Sequence, residues 1–278
     1  MTTKTARAPR SYLFVPASRP ERIGKALAAG ADAVIVDLED AVAPEAKLEA
    51  RDALRTPWPA LQDQADAAGV ALLLRVNGAD TAYFADDLAF CQTHAVRAIV
   101  LPKTDKASLA ALRAVLPDMP CHALLETAAG FADLRDVAQA PGVTRLLFGS
   151  IDLMFDLDVG DDDLPLHHFR SELVLHSRAA GLPAPVDGVC TAIGDAEALA
   201  ADTLRGRRFG FGAKLLIHPN QVGGVHQALA PTEAEVAWAR RVVEQAAAAH
   251  GAAIAVDGKM VDRPVLERAQ RIVAAALY

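Results

Sequence analysis

A (β/α)8 barrel of the TIM type with a short C-terminal helical extension is the fold this sequence predicts. Two observations carry the prediction. Eight short apolar runs recur along the 278 residues, most of them separated by stretches of helical period. Strand-length runs alternating with helices specify βαβ units and a parallel sheet, and eight such units in one chain of this size close into a barrel. The second observation is the position of charge. Glu39, Asp40, Arg75, Glu126 and Asp152 fall where apolar runs end, and barrels of this type gather their chemistry at the C-terminal ends of the strands.

The elements follow in order. Residues 1–10 are polar and expected to fray. The first strand, 11–16, leads through Ser18, a candidate N-cap, and Pro20, suited to a first helical turn, into a helix over 22–29. Further strands are expected at 33–39, 72–77, 97–102, 122–127, 145–152, 184–190 and 211–219, with helices over 109–115 and 168–180 among the connections. The acidic stretch 156–165, punctuated by Gly160 and Pro165, reads as a solvated loop or a mobile lid. The barrel thus occupies 11–221, and a helical tail occupies 222–278. Thr232 followed by Glu235 is a capping box opening a helix over 232–249. A short strand at 252–256, a turn at Asp257-Gly258 and a last helix from Pro264 complete the tail. Val236, Trp238, Val242 and Val243 give one tail helix an apolar face, as Val265, Ile272, Val273 and Leu277 do for the other. The tail is therefore expected to pack on its own barrel or on a neighbouring subunit.

Composition narrows the function. The content of 52% hydrophobic and 23% charged residues is that of a soluble protein with a large core. No run is long enough to span a bilayer, and residues 1–10 lack the apolar segment of a signal peptide. Cys91, Cys121 and Cys190 form no disulfide or zinc pattern, which fits a reducing, cytoplasmic setting. A net charge of −7 argues against a nucleic-acid surface. There is no GxSxG elbow, no GxGxxG after a strand and no Walker motif, so nucleophilic catalysis and nucleotide hydrolysis find no support.

Glu126 and Asp152, placed at the ends of adjacent strands, can converge on one point. Two carboxylates with water and substrate oxygens suit Mg2+; each acid serves equally well as a cap for the helix that follows. Arg75 suits bidentate binding of a carboxylate in the barrel mouth, or an ion pair with Glu39 or Asp40 across the neighbouring strand. Those two acids are also placed to bind water on a metal. Arg19 and Lys25 lie near a helix start and offer cations for a phosphate, although such residues are common on surfaces. His167, His168 and His176 read as a loop–helix face, and His218 as a residue near the mouth. Lys103 and Lys214 are the candidates should the chemistry proceed through a Schiff base.

Taken together, the segments SYLFVPASRPER, GADAVIVDLEDAVAPEAK, LLLRVN, AIVLPK, LLETAAG, LLFGSIDL, GAKLLIHPNQ and DGKMVDRPVLERAQRI resemble the citrate lyase β-subunit-like (CitE-like) family of the HpcH/HpaI aldolase superfamily, which includes malyl-CoA and citramalyl-CoA lyases. The resemblance implies Mg2+ held by Glu126 and Asp152, and Arg75 on the carboxylate and carbonyl end of the substrate. It implies CoA at Phe14, Arg19 and Lys25. It implies that Asp262 of the tail acts as acid/base in a neighbouring subunit's site, in a homotrimer or a multiple of one. The activity expected is Mg2+-dependent cleavage of a malyl- or citramalyl-CoA-type ester to acetyl-CoA and a 2-oxo acid. Alternatives are thioester hydrolysis, aldolase action on free 2-oxo acids, and service as an acyl-carrier-dependent subunit of a citrate lyase complex.

Overall fold

The computed structural model describes residues 8–248 and 254–276. Residues 1–7 of the expected frayed terminus, residue 249 of the expected tail helix, 252–253 of the tail strand and Leu277 of the last helix lie outside the described residues. The chain divides into two compact units, residues 1–228 and 229–278.

The first unit is a closed barrel of eight parallel strands in sequence order, β1 pairing with β8 to close it. The strands are β1 Ser11–Pro16, β2 Ala33–Asp37, β3 Ala71–Arg75, β4 Ile99–Leu101, β5 Cys121–Leu125, β6 Val143–Phe148, β7 Val186–Asp187 and β8 Ala213–Leu216. Between them run α1 Ile23–Leu27, α2 Lys47–Leu54, α3 Trp58–Ala68, α4 Phe84–Thr93, α5 Lys106–Val115, α6 Ala128–Ala132, α7 Leu134–Gln139, α8 Ser150–Leu157, α9 His167–Ala179 and α10 Ala196–Phe209, with α11 Gln221–Leu229 after β8. Successive side chains on a strand point to opposite faces, so one residue in two fills the interior. Tyr12, Ile35, Leu73, Val100, Leu124, Leu147, Val186 and Leu215 form that inner core. The same alternation carries polar residues inward at both ends: Asp37 and Arg75 at the C-terminal mouth, His122 and Arg145 at the N-terminal floor.

Several strands are shorter than the apolar runs that encode them. The sixth run continues to Asp152, yet β6 stops at Phe148 and α8 starts at Ser150. Asp152 therefore lies in the first turn of a helix rather than at a strand end, and caps nothing. β7 keeps only two residues of the run 184–190, because Gly188 and the segment after it leave the sheet. At the first βα connection the N-cap position is Arg19, without a side-chain cap, rather than Ser18.

The acidic stretch after α8 is anchored rather than simply solvated. The Asp162 carboxylate accepts from Arg170 at 3.2 Å and from Arg205 at 3.1 Å, and Asp163 meets His167 at 3.0 Å. Arg170 and Lys214 are almost fully buried and share Asp187, at 3.4 and 3.3 Å, behind β7 and β8. Lys214 thus faces the helix layer, away from the barrel interior.

The second unit has a core of its own. α12, Glu233–Ala248, and α13, Arg263–Ala275, pack on a two-stranded hairpin, β9 Ile254–Val256 and β10 Lys259–Val261. Ala239, Val242, Val256, Val261 and Ala269 are buried among them, flanked by Trp238, Val243, Val265, Ile272 and Val273. The two apolar helix faces therefore cover one another within the tail. Asp257 and Gly258 form the turn, with φ of 51° and 74°, the paired left-handed values that a two-residue hairpin needs. The capping box forms: the Thr232 N–H donates to Glu235 Oε2 at 2.8 Å, and the Glu235 N–H to Thr232 Oγ1 at 3.2 Å.

Candidate active site

Parallel register places Asp37 of β2 directly beside Arg75 of β3, both pointing into the mouth. The guanidinium forms a fork on Asp37, Nε to Oδ1 and Nη2 to Oδ2, each at 2.6 Å, and both residues are buried. Nη1 lies 2.8 Å from Glu39 Oε2 and 3.3 Å from Asp40 Oδ2. The Phe14 ring stacks on the other side of Arg75, 4.7 Å from the guanidinium carbon. The ion pair with Glu39 and Asp40 that the sequence allows is present, but its main member is Asp37. That residue was missing from the expected set because it sits inside the run VIVDLED. Its signal was parity: Ala33, Ile35 and Asp37 share one face.

Glu126 follows β5 directly and is only 2% exposed. Oε1 accepts the Lys103 N–H at 2.7 Å. Its carboxylate packs so closely on Gly149 that a Cβ there would overlap Glu126 Cβ and Oε2. Burial, with Glu39 and Asp152 adding negative charge nearby, pushes the Glu126 pKa well above the usual carboxylate range. Lys103 Nζ reaches Glu39 Oε1 at 2.7 Å. Burial disfavours its charge, but Glu39 and Glu126 outweigh burial and hold the ammonium protonated. A lysine so held is a poor Schiff-base nucleophile, and Lys214 lies outside the barrel interior.

A cavity of about 420 Å³ opens over these groups, lined by Phe14, Asp37, Asp40, Arg75, Glu126, Ser150 and Asp152 among others. Ser150 Oγ is buried there without a hydrogen-bond partner in the protein, and a Cβ on Gly188 would meet it at 2.5 Å. Serine at the start of α8 was also missing from the expected set; GSID after an apolar run is its only trace. Among the described residues, no group of three or more His, Cys, Asp and Glu is arranged to hold a metal. The donor set nonetheless fits a hard divalent cation. Five carboxylates (Asp37, Glu39, Asp40, Glu126 and Asp152) face two cations, Arg75 and Lys103. Mg2+ needs only one or two protein carboxylates and takes its other oxygens from water and substrate.

The remaining expected residues make other contacts. Arg19 and Lys25 are exposed after β1 and make no side-chain ion pair among the described residues. Asp262 is exposed and caps α13, Oδ1 accepting the Val265 N–H at 3.1 Å. His218 lies two residues beyond β8, its Nδ1 accepting the Asn220 N–H at 3.2 Å. His167 and His176 bond to Asp163 and Glu172 on the α9 face.

Comparison with known proteins agrees with this architecture. Residues 10–219 match the family model described as HpcH/HpaI aldolase/citrate lyase. A (3S)-malyl-CoA thioesterase of Cereibacter sphaeroides is 36% identical over 273 residues, covering 96% of this chain and 94% of the relative. A citrate lyase subunit beta-like protein of Deinococcus radiodurans is 37% identical over 281 residues, covering 95% and 96%. Among solved structures, the CitE protein of Mycobacterium tuberculosis in complex with magnesium, acetoacetate and coenzyme A superposes with a TM-score of 0.84 at 34% identity, covering 98% of this chain and 99% of that one. No described helix is long and apolar enough to cross a membrane. With a closed eight-stranded barrel, a carboxylate-rich mouth and a family match through all eight barrel strands, the chain belongs to the HpcH/HpaI aldolase/citrate lyase family of enzymes.

Proposed function

We propose that this protein is a Mg2+-dependent carbon–carbon lyase that cleaves a 3-hydroxy-dicarboxylyl-CoA of the malyl- or citramalyl-CoA type to acetyl-CoA and a 2-oxo acid. The observation that carries the reading is the meeting of Glu126, Asp152 and Arg75 around one 420 Å³ cavity in the barrel mouth. Residues 11–221 supply the catalytic barrel and 222–278 the tail. Mg2+ on Glu126 and Asp152 would polarise the hydroxy-acid end of the substrate and acidify its hydroxyl. Arg75, pre-set by Asp37, binds the carboxylate of that end and stabilises charge on the departing oxo acid. Asp40 joins Asp37 in orienting Arg75, and Glu39 and Asp40 are placed to bind water on the metal. The hydroxyl proton passes to a base as the carbon–carbon bond breaks, leaving the acetyl-CoA enolate, whose carbon then takes a proton; Asp262 is the acid/base group that the family resemblance supplies. Phe14 stacks on Arg75 in the mouth, while the exposed Arg19 and Lys25 are available to the CoA phosphates. The tail of one subunit would complete the site of another in a homotrimer or a multiple of one. Three buried free cysteines suit a cytoplasmic setting.

Thioester hydrolysis of the same esters is the second reading, favoured by the similarity to malyl-CoA thioesterases. One experiment separates the two. The protein is incubated with malyl-CoA and citramalyl-CoA, with Mg2+ or with EDTA. Acetyl-CoA plus glyoxylate or pyruvate is the expected product, formed only with metal. Free CoA plus malate or citramalate would establish the hydrolase instead, and full activity in EDTA would remove the metal from either reading.

A further inference from the structure

Lys103 stands where the mouth meets a second cavity of about 690 Å³ that it lines together with Asp80, Ser108, Thr127 and Asp156. It follows β4, and its φ of 47° lies in the left-handed region that residues with a Cβ seldom adopt. Glycine would take that backbone more easily, so the lysine side chain has a use that outweighs the strain. The twist sends its two donors to two different acids. The N–H reaches Glu126 Oε1 and the ammonium reaches Glu39 Oε1, each at 2.7 Å.

Glu39 is what links Lys103 to Arg75. Its second oxygen, Oε2, lies 2.8 Å from Arg75 Nη1, yet it is buried and makes no hydrogen bond. The contact is close but misaligned, because the carboxylate is turned toward Lys103. Arg75 consequently uses one N–H each on Asp37 Oδ1, Asp37 Oδ2 and Asp40 Oδ2. A guanidinium carries five N–H donors, so two are left for an incoming ligand.

We propose that Lys103 is a positioning residue that turns Glu39 out of hydrogen-bonding line with Arg75, leaving only their ion contact, and so keeps the arginine's N–H donors open to the carboxylate of a 2-oxo acid. The inference rests on the assignment of that carboxylate to Arg75 under the proposed function. Without the ammonium, Glu39 swings into line with Arg75 Nη1 and competes with the ligand for the same donors. The Lys103 N–H on Glu126 belongs to the main chain and survives a side-chain change. Metal affinity and oxo-acid affinity are thereby separable.

The test measures pyruvate binding by calorimetry in saturating Mn2+, and Mn2+ binding alone by electron paramagnetic resonance. Lys103→Met is expected to weaken pyruvate at least tenfold while Mn2+ affinity stays within threefold. Lys103→Arg, which keeps the charge, should recover most of the loss. So should Lys103→Met combined with Glu39→Gln, because the competitor is then neutral; a merely structural role for Lys103 would not be rescued by a second substitution at Glu39. Wild-type affinity in Lys103→Met, or no recovery in the double variant, would overturn the inference and leave the proposed function standing. Failure of the wild type to bind pyruvate with Mn2+ present would overturn both.

Discussion

Each end of this barrel buries an arginine in its interior, and the two are treated in opposite ways. At the floor, Arg145 meets no carboxylate among the described residues: it donates to the carbonyls of Pro9 at 2.6 Å and Ala184 at 3.0 Å and to the Tyr12 hydroxyl at 2.9 Å, with its guanidinium carbon 5.3 Å from the Tyr12 ring. Beside it His122 bridges Tyr12 and Thr144. Neutral dipoles satisfy the charge, and the plug fills the space. At the mouth, Arg75 faces three carboxylates, two more lie within the same cavity, and Ser150 Oγ and Glu39 Oε2 lack hydrogen bonds. The floor is a closed set of polar groups that serves stability. The mouth carries more negative charge than its own cations offset, an arrangement that favours binding over stability.

The sharpest way to break this contrast is to neutralise Glu126. Glu126→Gln is expected to lower turnover by about a thousandfold, comparable to losing a charge-stabilising group in other sites, while the melting temperature stays level or rises, because a buried and crowded carboxylate is gone. A coupled loss of both would make Glu126 a structural residue. At the other pole, Arg145→Met should cost about 3 kcal/mol of stability by stranding buried acceptors, with turnover per folded molecule unchanged; chemical denaturation and active-site titration report the two quantities separately. Per pH unit, the smallest effect is that of His122. Burial, then the neighbouring Arg145, lowers the His122 pKa to about 3. The unfolded chain therefore binds the proton first, at its ordinary value near 6.5. Stability is full above that value and falls as pH drops from about 6.5 toward 3, by at most about 1.4 kcal/mol per unit. His122→Gln should flatten the denaturation midpoint across that window, and an unchanged slope would place the acid sensitivity elsewhere.

Much of this layout was legible because period and position carry it. Alternation of apolar runs with helical stretches gives the barrel, and Arg75 and Glu126 stand out as charges where runs stop. Asp37 was not legible by that rule: a charge inside a run is seen only when strand parity and register against Leu73 and Arg75 are followed. Asp152 shows the reverse error. The apolar run continues past Gly149 into α8, and composition alone does not mark where extended backbone turns helical. Loop 156–165 reads as solvent-facing because no local periodicity marks the partners of Asp162: Arg170 lies eight residues on in α9 and Arg205 forty-three residues on in α10. Nor does the pattern 229–278 reveal that its two helices bury their apolar faces on each other, since that depends on a hairpin only three residues to a strand.

Gly149 has a consequence for how this family can vary. It bears no functional group, yet any side chain placed there enters the space of the Glu126 carboxylate. Every codon change that alters the residue adds at least a methyl, so no conservative route leads away from glycine. Mutational tolerance in the mouth is thus low at a position that a survey of ionisable residues would pass over. Surface charges such as Arg55 or Lys106 are free to drift by comparison. Selection on the acid is, in effect, selection on the empty space beside it.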